Sequence, residues 1–263
     1  MSEPLRALLR TPSPALAECE LTHIERVEID IDRALDQHRA YAALLARLGV
    51  EVTILDPLRD YPDSCFVEDA ALAFPECFVL TSPGVASRQG EPAIMRGSLP
   101  DDRPIVTLSL PGTIDGGDVL TVGKAVFVGL TSRTNKAGVE ALAAALAPFG
   151  YSVTGVPGEA ALHLMTAVTA PDDSTVLINP ALIDRNVFAA FDQIECDPAE
   201  PFAGNCLRLG GTVVMQSAHP RTAALLAARG YAVETVDVSE FAKAEAGLTC
   251  LSLLIPPYSE SRK

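Results

Sequence analysis

At intervals of about 40–50 residues the chain repeats one pattern, and this spacing is typical of repeat architectures. Each copy has a polar or reactive residue, an apolar segment, a turn and a second apolar segment. The copies begin near Ser64, Asp115, His163, Asn205 and Cys250. The pattern predicts five cyclic units of hairpin, helix and strand. Residues that lie far apart in the sequence would then occupy equivalent places and converge on one axial site.

Helix-like segments that end at a glycine separate several of these units. Their apolar residues recur at three- and four-residue steps, the period of one helix face, and glycine is a common stop after a helix. These segments are 35–48, 139–149 and 220–229, followed by Gly49, Gly150 and Gly230. The strand after the first segment alternates, so we expect Val50, Val52 and Ile54 to share a buried face.

Both ends of the chain carry an apolar segment of strand character. Residues 6–12 (RALLRTP) have no hairpin partner of their own, and residues 251–257 (LSLLIPP) end the last unit. Pairing of the two segments would close the ring and remove two open sheet edges. Because no linker or low-complexity stretch divides the chain, we predict one α/β domain over residues 1–263.

The composition argues against several classes of protein. A net charge of −14 disfavours a protein that tracks nucleic-acid phosphates. No uninterrupted run of about 18 apolar residues suggests a membrane span, and the N-terminus lacks the apolar core of a signal peptide. The six cysteines show no CxxC spacing. We therefore expect cytosolic thiols, a cytoplasmic protein and a small-molecule substrate, with no nucleic-acid or membrane partner.

Cys250 and His163 occupy matching places at the start of two units. A lone cysteine most often packs as a small hydrophobic residue, and a lone histidine is most often a satisfied core residue. A thiol and an imidazole that the topology brings together are instead the components of an activated nucleophile. The paired arrangement therefore favours catalytic roles for both residues.

Carboxylates precede two other apolar strands, at Glu68 and Asp69 and in the sequence DGGD that begins at Asp115. Charges at the mouth of a buried strand are costly unless they are paired or bind a cation. A structural salt bridge at the first site and a tight turn at the second are the alternatives. No HxxxH or HExxH spacing and no phosphate-binding glycine loop occurs, so we predict no metal and no organic cofactor.

In order along the chain, further motifs accompany these residues. They are RALLRTP (6–12), PDSCFVED (62–69), PGVASR (83–88), PGTIDGGD (111–118), SRTN (132–135), LHL (162–164), AGNC (203–206) and GLTCLSL (247–253). Together they resemble the dimethylarginine dimethylaminohydrolases, which belong to the guanidine-modifying superfamily. The resemblance covers essentially the whole chain and implies the pentein fold, a five-bladed α/β propeller with pseudo-fivefold repeats.

The resemblance also implies a role for each matching residue. Cys250 would be the nucleophile, His163 the general acid and base, and Asp115 the carboxylate that orients the histidine. The implied substrate contacts are Asp69 on the guanidinium with Asp63 and Glu68 beside it, Arg88 and Arg133 on the α-carboxylate, Leu21 in a lid segment (13–30), and Ala244 through its backbone.

The implied reaction is hydrolysis of an Nω-methylated arginine to citrulline and methylamine or dimethylamine, through a covalent thiouronium on cysteine. An arginine deiminase or another guanidino hydrolase would use the same catalytic set. Arg88 and Arg133 favour an amino-acid substrate over a simple amine. A non-enzymatic, propeller-shaped ribosome-binding factor is the alternative of another class, but it has no need of a paired Cys and His. A homodimer is one assembly that the resemblance allows.

Overall fold

The computed structural model describes residues 3–158 and 161–259, and within these ranges one sheet plan recurs five times. In each three-stranded sheet the central strand pairs antiparallel with one neighbour and parallel with the other. The sheet orders are β15-β1-β2, β3-β4-β5, β6-β7-β8, β9-β10-β11 and β12-β13-β14. The predicted five-bladed α/β propeller is therefore confirmed.

The strands of the described ranges are short. They are β1 (Arg6–Arg10), β2 (Glu51–Leu55), β3 (Ala71–Ala73), β4 (Phe78–Leu80), β5 (Ile105–Thr107), β6 (Val119–Val122), β7 (Ala125–Leu130), β8 (Ser152–Pro157), β9 (Val168–Thr169), β10 (Thr175–Ile178), β11 (Asp192–Glu195), β12 (Cys206–Leu209), β13 (Thr212–Gln216), β14 (Ala232–Val236) and β15 (Leu253–Ile255). The helices are α1 (Ile31–Arg47), α2 (Glu91–Arg96), α3 (Lys136–Leu146), α4 (Leu164–Ala167), α5 (Pro220–Ala228) and α6 (Ser239–Ala242). None of them combines the length and hydrophobicity that a membrane-spanning helix needs.

The two ends of the chain close the propeller, as the sequence predicts. Strand β1 pairs antiparallel with β15, with Arg6 opposite Ile255 and Leu8 opposite Leu253. The other edge of β1 pairs parallel with β2. The first and last segments therefore share one blade, and this sheet places the residues before β15 next to the other blades.

Glycines end the long connections of three blades, where the sequence predicts helix stops. Gly49, Gly150 and Gly230 have φ values of +87°, +76° and +92°, a region that residues with a Cβ rarely adopt. Asn135 caps α3 by accepting a 2.9 Å hydrogen bond from the Gly138 amide. The other two blades use different connections, namely α2 and the 3₁₀ turn Arg185–Phe188.

One prediction about β2 is wrong. Val50 is buried and Val52 is half-buried, but Ile54 is 50% exposed. Because β2 is an edge strand that pairs only with β1 in the described ranges, its alternation does not place every second residue in the core.

A single helical turn precedes the first strand of four blades, where the sequence suggested that the candidate site residues run directly into a strand. Glu68, Asp69 and Cys250 lie in these turns, and Asp115 and His163 lie immediately before them. The turns are Val67–Ala70, Gly116–Asp118, Leu164–Ala167 and Thr249–Leu251, and they contact one another. In the remaining blade Asn205 leads directly into β12. The turns gather the side chains before four different blades into one place, because each blade begins in the same way.

Candidate active site

Cys250 and His163 line one cavity of about 500 Å³, together with Glu68 and Asn205. These residues come from different blades, and Cys250 lies in the turn Thr249–Leu251. Tyr41, fully buried on α1, supports this turn by donating a 3.1 Å hydrogen bond to the Leu248 carbonyl oxygen. The topology therefore brings the thiol and the imidazole together, as their matching positions in the sequence indicate.

His163 is buried and oriented by Asp115. Its Nε2 lies 3.1 Å from Oδ2 of Asp115, and Nδ1 is left as the nitrogen that can exchange a proton with a ligand. Asp115 is held in turn, because its Oδ1 accepts a 2.8 Å hydrogen bond from the Gly84 amide. The side chain of Asp115 therefore reaches the histidine and fixes the orientation of its ring.

Acidic neighbours control the protonation of His163. Burial alone would lower the pKa of this residue, but the charge of Asp69, the hydrogen bond to Asp115 and the charge of Asp118 outweigh it. Together they raise the pKa to about 9. At neutral pH the ring is an imidazolium, which is the form that can donate a proton.

The DGGD sequence forms a tight turn, which was the alternative interpretation of this motif. The same turn also packs closely against the His163 side chain. A Cβ at Gly117 would lie 2.6 Å from Nδ1 of His163, so no side chain fits there. Asp118 accepts hydrogen bonds from Thr131, Thr134 and the Leu164 amide at 2.6–2.9 Å. The hydrogen bond from the Leu164 amide holds the residue after His163 in place. The sequence did not predict this positioning role of Asp118.

Cys250 differs from the other five cysteines in its exposure. It is half-buried and lines the cavity, whereas Cys19, Cys65, Cys77, Cys196 and Cys206 are all buried. Burial, followed by the negative charges of Glu68 and Asp69, raises the pKa of the Cys250 thiol. Without a ligand it is therefore a neutral thiol, and a cation in the cavity would favour the thiolate.

The two adjacent carboxylates, Glu68 and Asp69, have different environments. Glu68 accepts a 2.8 Å hydrogen bond from Thr249 Oγ1, and burial together with the charge of Asp69 raises its pKa to about 8. The pKa of Asp69 is lowered, because the charges of His163 and Arg88 outweigh its burial. Asp69 is thus an anion at neutral pH, whereas Glu68 carries its proton until a cation displaces it.

Arg88 is buried against Asp69, 2.6 Å from its Oδ2 through Nη1. Its Nε and Nη2 donate to the two oxygens of Glu91 at 3.0 and 2.8 Å, and Nη2 also donates to the Phe66 carbonyl oxygen at 3.0 Å. A structural ion pair, the alternative considered for the acidic pair, is therefore present at Asp69. Arg88 orients Asp69 in this structure, and its contact with a substrate carboxylate stays a prediction.

Arg133 and Asp63 are buried residues that contact the segment 13–30. Arg133 donates a 3.0 Å hydrogen bond to Thr22 Oγ1, and Asp63 accepts one of 3.1 Å from the Glu20 amide. Burial raises the pKa of Asp63 to about 6, although the charge of Arg88 opposes this shift. Leu21 lies between the two contacts and is half-buried.

Ala244 is buried, with 4% of its surface exposed, and precedes the turn Thr249–Leu251 that carries Cys250. Its amide donates to the Phe241 carbonyl oxygen. Within the described ranges no hydrogen bond reaches the Ala244 carbonyl oxygen, which leaves this atom able to accept one from a ligand.

Three side chains of the kinds that bind metal ions lie close together, although the sequence showed no metal-binding spacing. Single ligand atoms of Asp69, Asp115 and His163 all lie within 4.8 Å of one another. The same oxygens and nitrogen already bond within the protein, through the His163–Asp115 contact and the 2.8 Å hydrogen bond from the Gly117 amide to Asp69. Each of the three side chains therefore already has a hydrogen-bond partner within the protein.

Asn205 and Thr249 are structural members of the site that sequence reasoning left without a role. Asn205 Nδ2 donates to the Met165 carbonyl oxygen at 2.9 Å and to Thr249 Oγ1 at 3.0 Å. It thus links the turn after His163 to the turn that carries Cys250. The start of a repeat unit at Asn205 was the signal that could have identified it.

The chain is similar to several known proteins over most of its length. The family model described as arginine deiminase matches residues 107–203. The N(G),N(G)-dimethylarginine dimethylaminohydrolase of Streptomyces coelicolor is 42% identical over 94% of this chain and 96% of that protein. The protein of the same name from Pseudomonas aeruginosa is 34% identical over 94% of this chain and 97% of its own length.

A solved structure shows the same similarity in three dimensions. DDAH from Pseudomonas aeruginosa, complexed with citrulline, superimposes with a TM-score of 0.91 at 33% identity. The match covers 97% of this chain and 100% of that chain. Because relatives more than 30% identical extend over almost the whole sequence, the chain belongs to the dimethylarginine dimethylaminohydrolase family.

Proposed function

We propose that this protein hydrolyses Nω-methylated L-arginine to citrulline and methylamine or dimethylamine. The observation that carries the proposal is the cavity lined by Cys250, by an imidazolium at His163 and by Glu68, with Asp69 Oδ1 3.9 Å from Nε2 of His163. A nucleophile, a proton donor and a cation-binding pair are what hydrolysis of a guanidinium needs. Family membership supports the substrate class.

The carboxylates bind the substrate guanidinium. Asp69, held by Arg88, accepts hydrogen bonds from the planar cation, and Glu68 joins it once its proton has left. Because the pKa of Glu68 is raised to about 8 in the free protein, an incoming cation favours its ionised form. Binding of the guanidinium therefore prepares the acidic pair.

Attack by sulfur starts the first half-reaction. The bound cation favours release of the Cys250 proton to solvent, and the resulting thiolate forms a bond to the central guanidinium carbon. His163 then transfers a proton from Nδ1 to the departing methylated nitrogen as the C–N bond breaks, because an amine anion cannot leave unprotonated. The products of this step are a free amine, a neutral histidine and a thiouronium joined to Cys250.

Water completes the cycle in the second half-reaction. Neutral His163 accepts a proton as the water oxygen bonds to the thiouronium carbon, and the bond from that carbon to Cys250 sulfur then breaks. The sulfur leaves as a thiolate and takes up the remaining hydroxyl proton of the intermediate, which gives citrulline and restores the Cys250 thiol. Asp115 keeps the ring in one orientation through both steps, because it bonds Nε2 and leaves Nδ1 to exchange the proton.

The amino-acid end of the substrate lies toward the segment 13–30 in this proposal. Arg133 binds the α-carboxylate, with Arg88 as a second cation, and Asp63 binds the α-amine. Leu21 lies in the lid segment 13–30 beside the substrate, and Ala244 contributes its backbone carbonyl oxygen. Their support is the burial of Arg133 and Asp63 beside that segment and the free carbonyl of Ala244. The six unpaired cysteines suit the reducing cytoplasm, where we place the reaction.

A citrulline assay with dimethylarginine, monomethylarginine and arginine in parallel tests the proposal. Glu68 and Asp69 can bind the unmethylated nitrogens of all three compounds. A preference for a methylated substrate must therefore come from apolar contact with the methyl groups. One such group is worth about 10–200-fold in kcat/KM. If arginine has the highest kcat/KM, the protein is an arginine deiminase with the same catalytic residues. If none of the three yields citrulline, the proposal fails.

A further inference from the structure

Glu245 holds the segment 13–30 through three consecutive backbone amides. Its Oε2 accepts a 2.7 Å hydrogen bond from the Thr22 amide. Its Oε1 accepts hydrogen bonds from the amides of His23 and Ile24 at 2.5 and 2.9 Å. Successive amides that converge on one anionic group make a strong and directional contact. The reaction proposed above uses Glu245 in no step.

The backbone of Glu245 has an unusual conformation. Its φ is +59°, in the left-handed region, and it is the one non-glycine residue of the described ranges with a positive φ. It stands between α6 and the turn that carries Cys250. A residue with a Cβ is disfavoured in this region, so other contacts must compensate. The three amides on its carboxylate supply them.

Two other hydrogen bonds near the tip of this segment involve groups that the substrate would bind in the proposed reaction. The Glu20 amide bonds Asp63, and Thr22 Oγ1 bonds Arg133. A substrate amine on Asp63 and a substrate carboxylate on Arg133 would compete with both contacts. Glu245 also lines the cavity, but the proposed reaction assigns it no substrate group, so its hydrogen bonds can persist while the substrate is bound.

We propose that Glu245 is a positioning residue that keeps residues 22–24 closed over the Cys250 cavity when the substrate displaces the contacts of Asp63 and Arg133. This inference rests on the proposed function, because it assigns those two groups to the substrate. His23 and Ile24 line the cavity. Holding their backbone in place therefore preserves the cavity wall and retains the substrate.

Hydrogen exchange tests the contact without relying on activity. Glu245→Gly removes the carboxylate and also suits a positive φ, so the fold is retained while the segment is released. We expect the amides of residues 22–24 to exchange about tenfold faster or more, since the charge-assisted hydrogen bonds are lost. Glu245→Gln, which keeps one oxygen acceptor, should show a smaller increase.

The matched control is Glu140→Gln on the exposed side of α3. This substitution also removes one negative charge, and in the part of the chain that the structure describes Glu140 forms an ion pair with Lys136 alone, at 3.7 Å. In Glu140→Gln, the amides of residues 22–24 should exchange at the same rate as in the unmodified protein. An identical exchange rate in Glu245→Gly and the unmodified protein would overturn the proposed contact.

Steady-state kinetics tests the consequence for the reaction. With dimethylarginine as substrate, Glu245→Gly should raise KM by about tenfold and change kcat by less than about twofold, because substrate retention is weakened and the chemistry is not. Faster exchange with an unchanged KM would overturn the positioning role. If the unmodified protein turned over no methylarginine, the proposed function would fail, while the exchange experiment would still decide whether Glu245 holds the segment.

Discussion

Thr249 Oγ1 donates a 2.8 Å hydrogen bond to Oε2 of Glu68 and so joins the turn that carries Cys250 to the turn that carries the acidic pair. The two turns begin different blades, yet this contact fixes the Glu68 carboxylate beside the thiol. The raised pKa of Cys250 arises first from burial, then from the charge of Glu68 once that residue is ionised, and then from the charge of Asp69. The thiol therefore remains protonated until a guanidinium cation enters the cavity, which limits reaction with other electrophiles.

Cys250→Ser should abolish citrulline formation from dimethylarginine and leave the fold intact. A hydroxyl in the same place cannot form the thiolate that the mechanism requires. Activity is measured by the release of citrulline, and the fold by the thermal unfolding curve. Cys65→Ala and Cys206→Ala are the matched variants, because each cysteine also lies near the start of a repeat unit but is buried. Retention of more than a few per cent of activity in Cys250→Ser would show that Cys250 is not the nucleophile.

Arg133→Ala should raise KM for dimethylarginine and leave kcat nearly unchanged. A charge-assisted hydrogen bond to a carboxylate is worth about 1.5–3 kcal/mol, which corresponds to roughly one to two decades in KM. In the ligand-free structure the side-chain hydrogen bond of Arg133 is with Thr22. If Arg133 instead only supported the turn before the Asn135 cap, KM would stay constant and the melting temperature would fall.

Arg88→Ala should lower stability as well as activity, unlike Arg133→Ala. Its removal leaves Asp69 and Glu91 buried without their cation, and breaking a buried ion pair typically costs about 3–5 kcal/mol. Because Asp69 also loses its orientation, kcat should fall. Urea unfolding and kinetics on the same preparation check both effects. Equal stability in the two arginine variants would contradict the buried role of Arg88.

The features that local chemistry determines could be predicted from the sequence. The helix stops at Gly49, Gly150 and Gly230 follow from the freedom of glycine at positive φ. The closing pair of β1 and β15 follows from two apolar segments that each lacked a partner. Cys250 and His163 line one cavity because the same arrangement of strands recurs in each blade.

Contacts that depend on three-dimensional packing were not predictable in the same way. The exposure of Ile54 depends on β2 being an edge strand, which the alternating pattern does not reveal. The partnership of Arg88 with Glu91 as well as Asp69 depends on how two helical turns pack. The contact of Glu245 joins residues that lie more than two hundred positions apart in the chain.

The alkaline limb of kcat should report the loss of a proton from His163 in the substrate complex, in which the Cys250 thiolate has already formed. The pKa of His163 is raised to about 9, in part by the charge of Asp118, and the first half-reaction needs the protonated ring. We therefore expect kcat to fall as the pH passes about 9. Asp118→Asn removes one of the charges that favour the imidazolium, so the limb should move to lower pH. A limb at the same pH in both proteins would show that another group controls it.

Glu68→Gln should become more stable relative to the unmodified protein as the pH rises. Burial and the charge of Asp69 raise the pKa of Glu68 from 4.5 to about 8. A carboxyl group whose pKa is raised on folding stabilises the protein below its unfolded value of 4.5, and this stabilisation is lost as the pH rises through 8. Glutamine stays neutral and can accept the Thr249 hydrogen bond, so the variant does not incur this loss.

The measurement is the free energy of unfolding in urea at several pH values between 4.5 and 9. Other groups titrate in this range, including His163, whose pKa is also raised, so the informative quantity is the difference between the two proteins at each pH. That difference should grow in favour of Glu68→Gln across the range, because only the unmodified protein must ionise a buried carboxyl group. Glu140→Gln, which alters an exposed carboxylate, should show no such trend. A difference that stays constant with pH would mean that Glu68 is already ionised in the free protein.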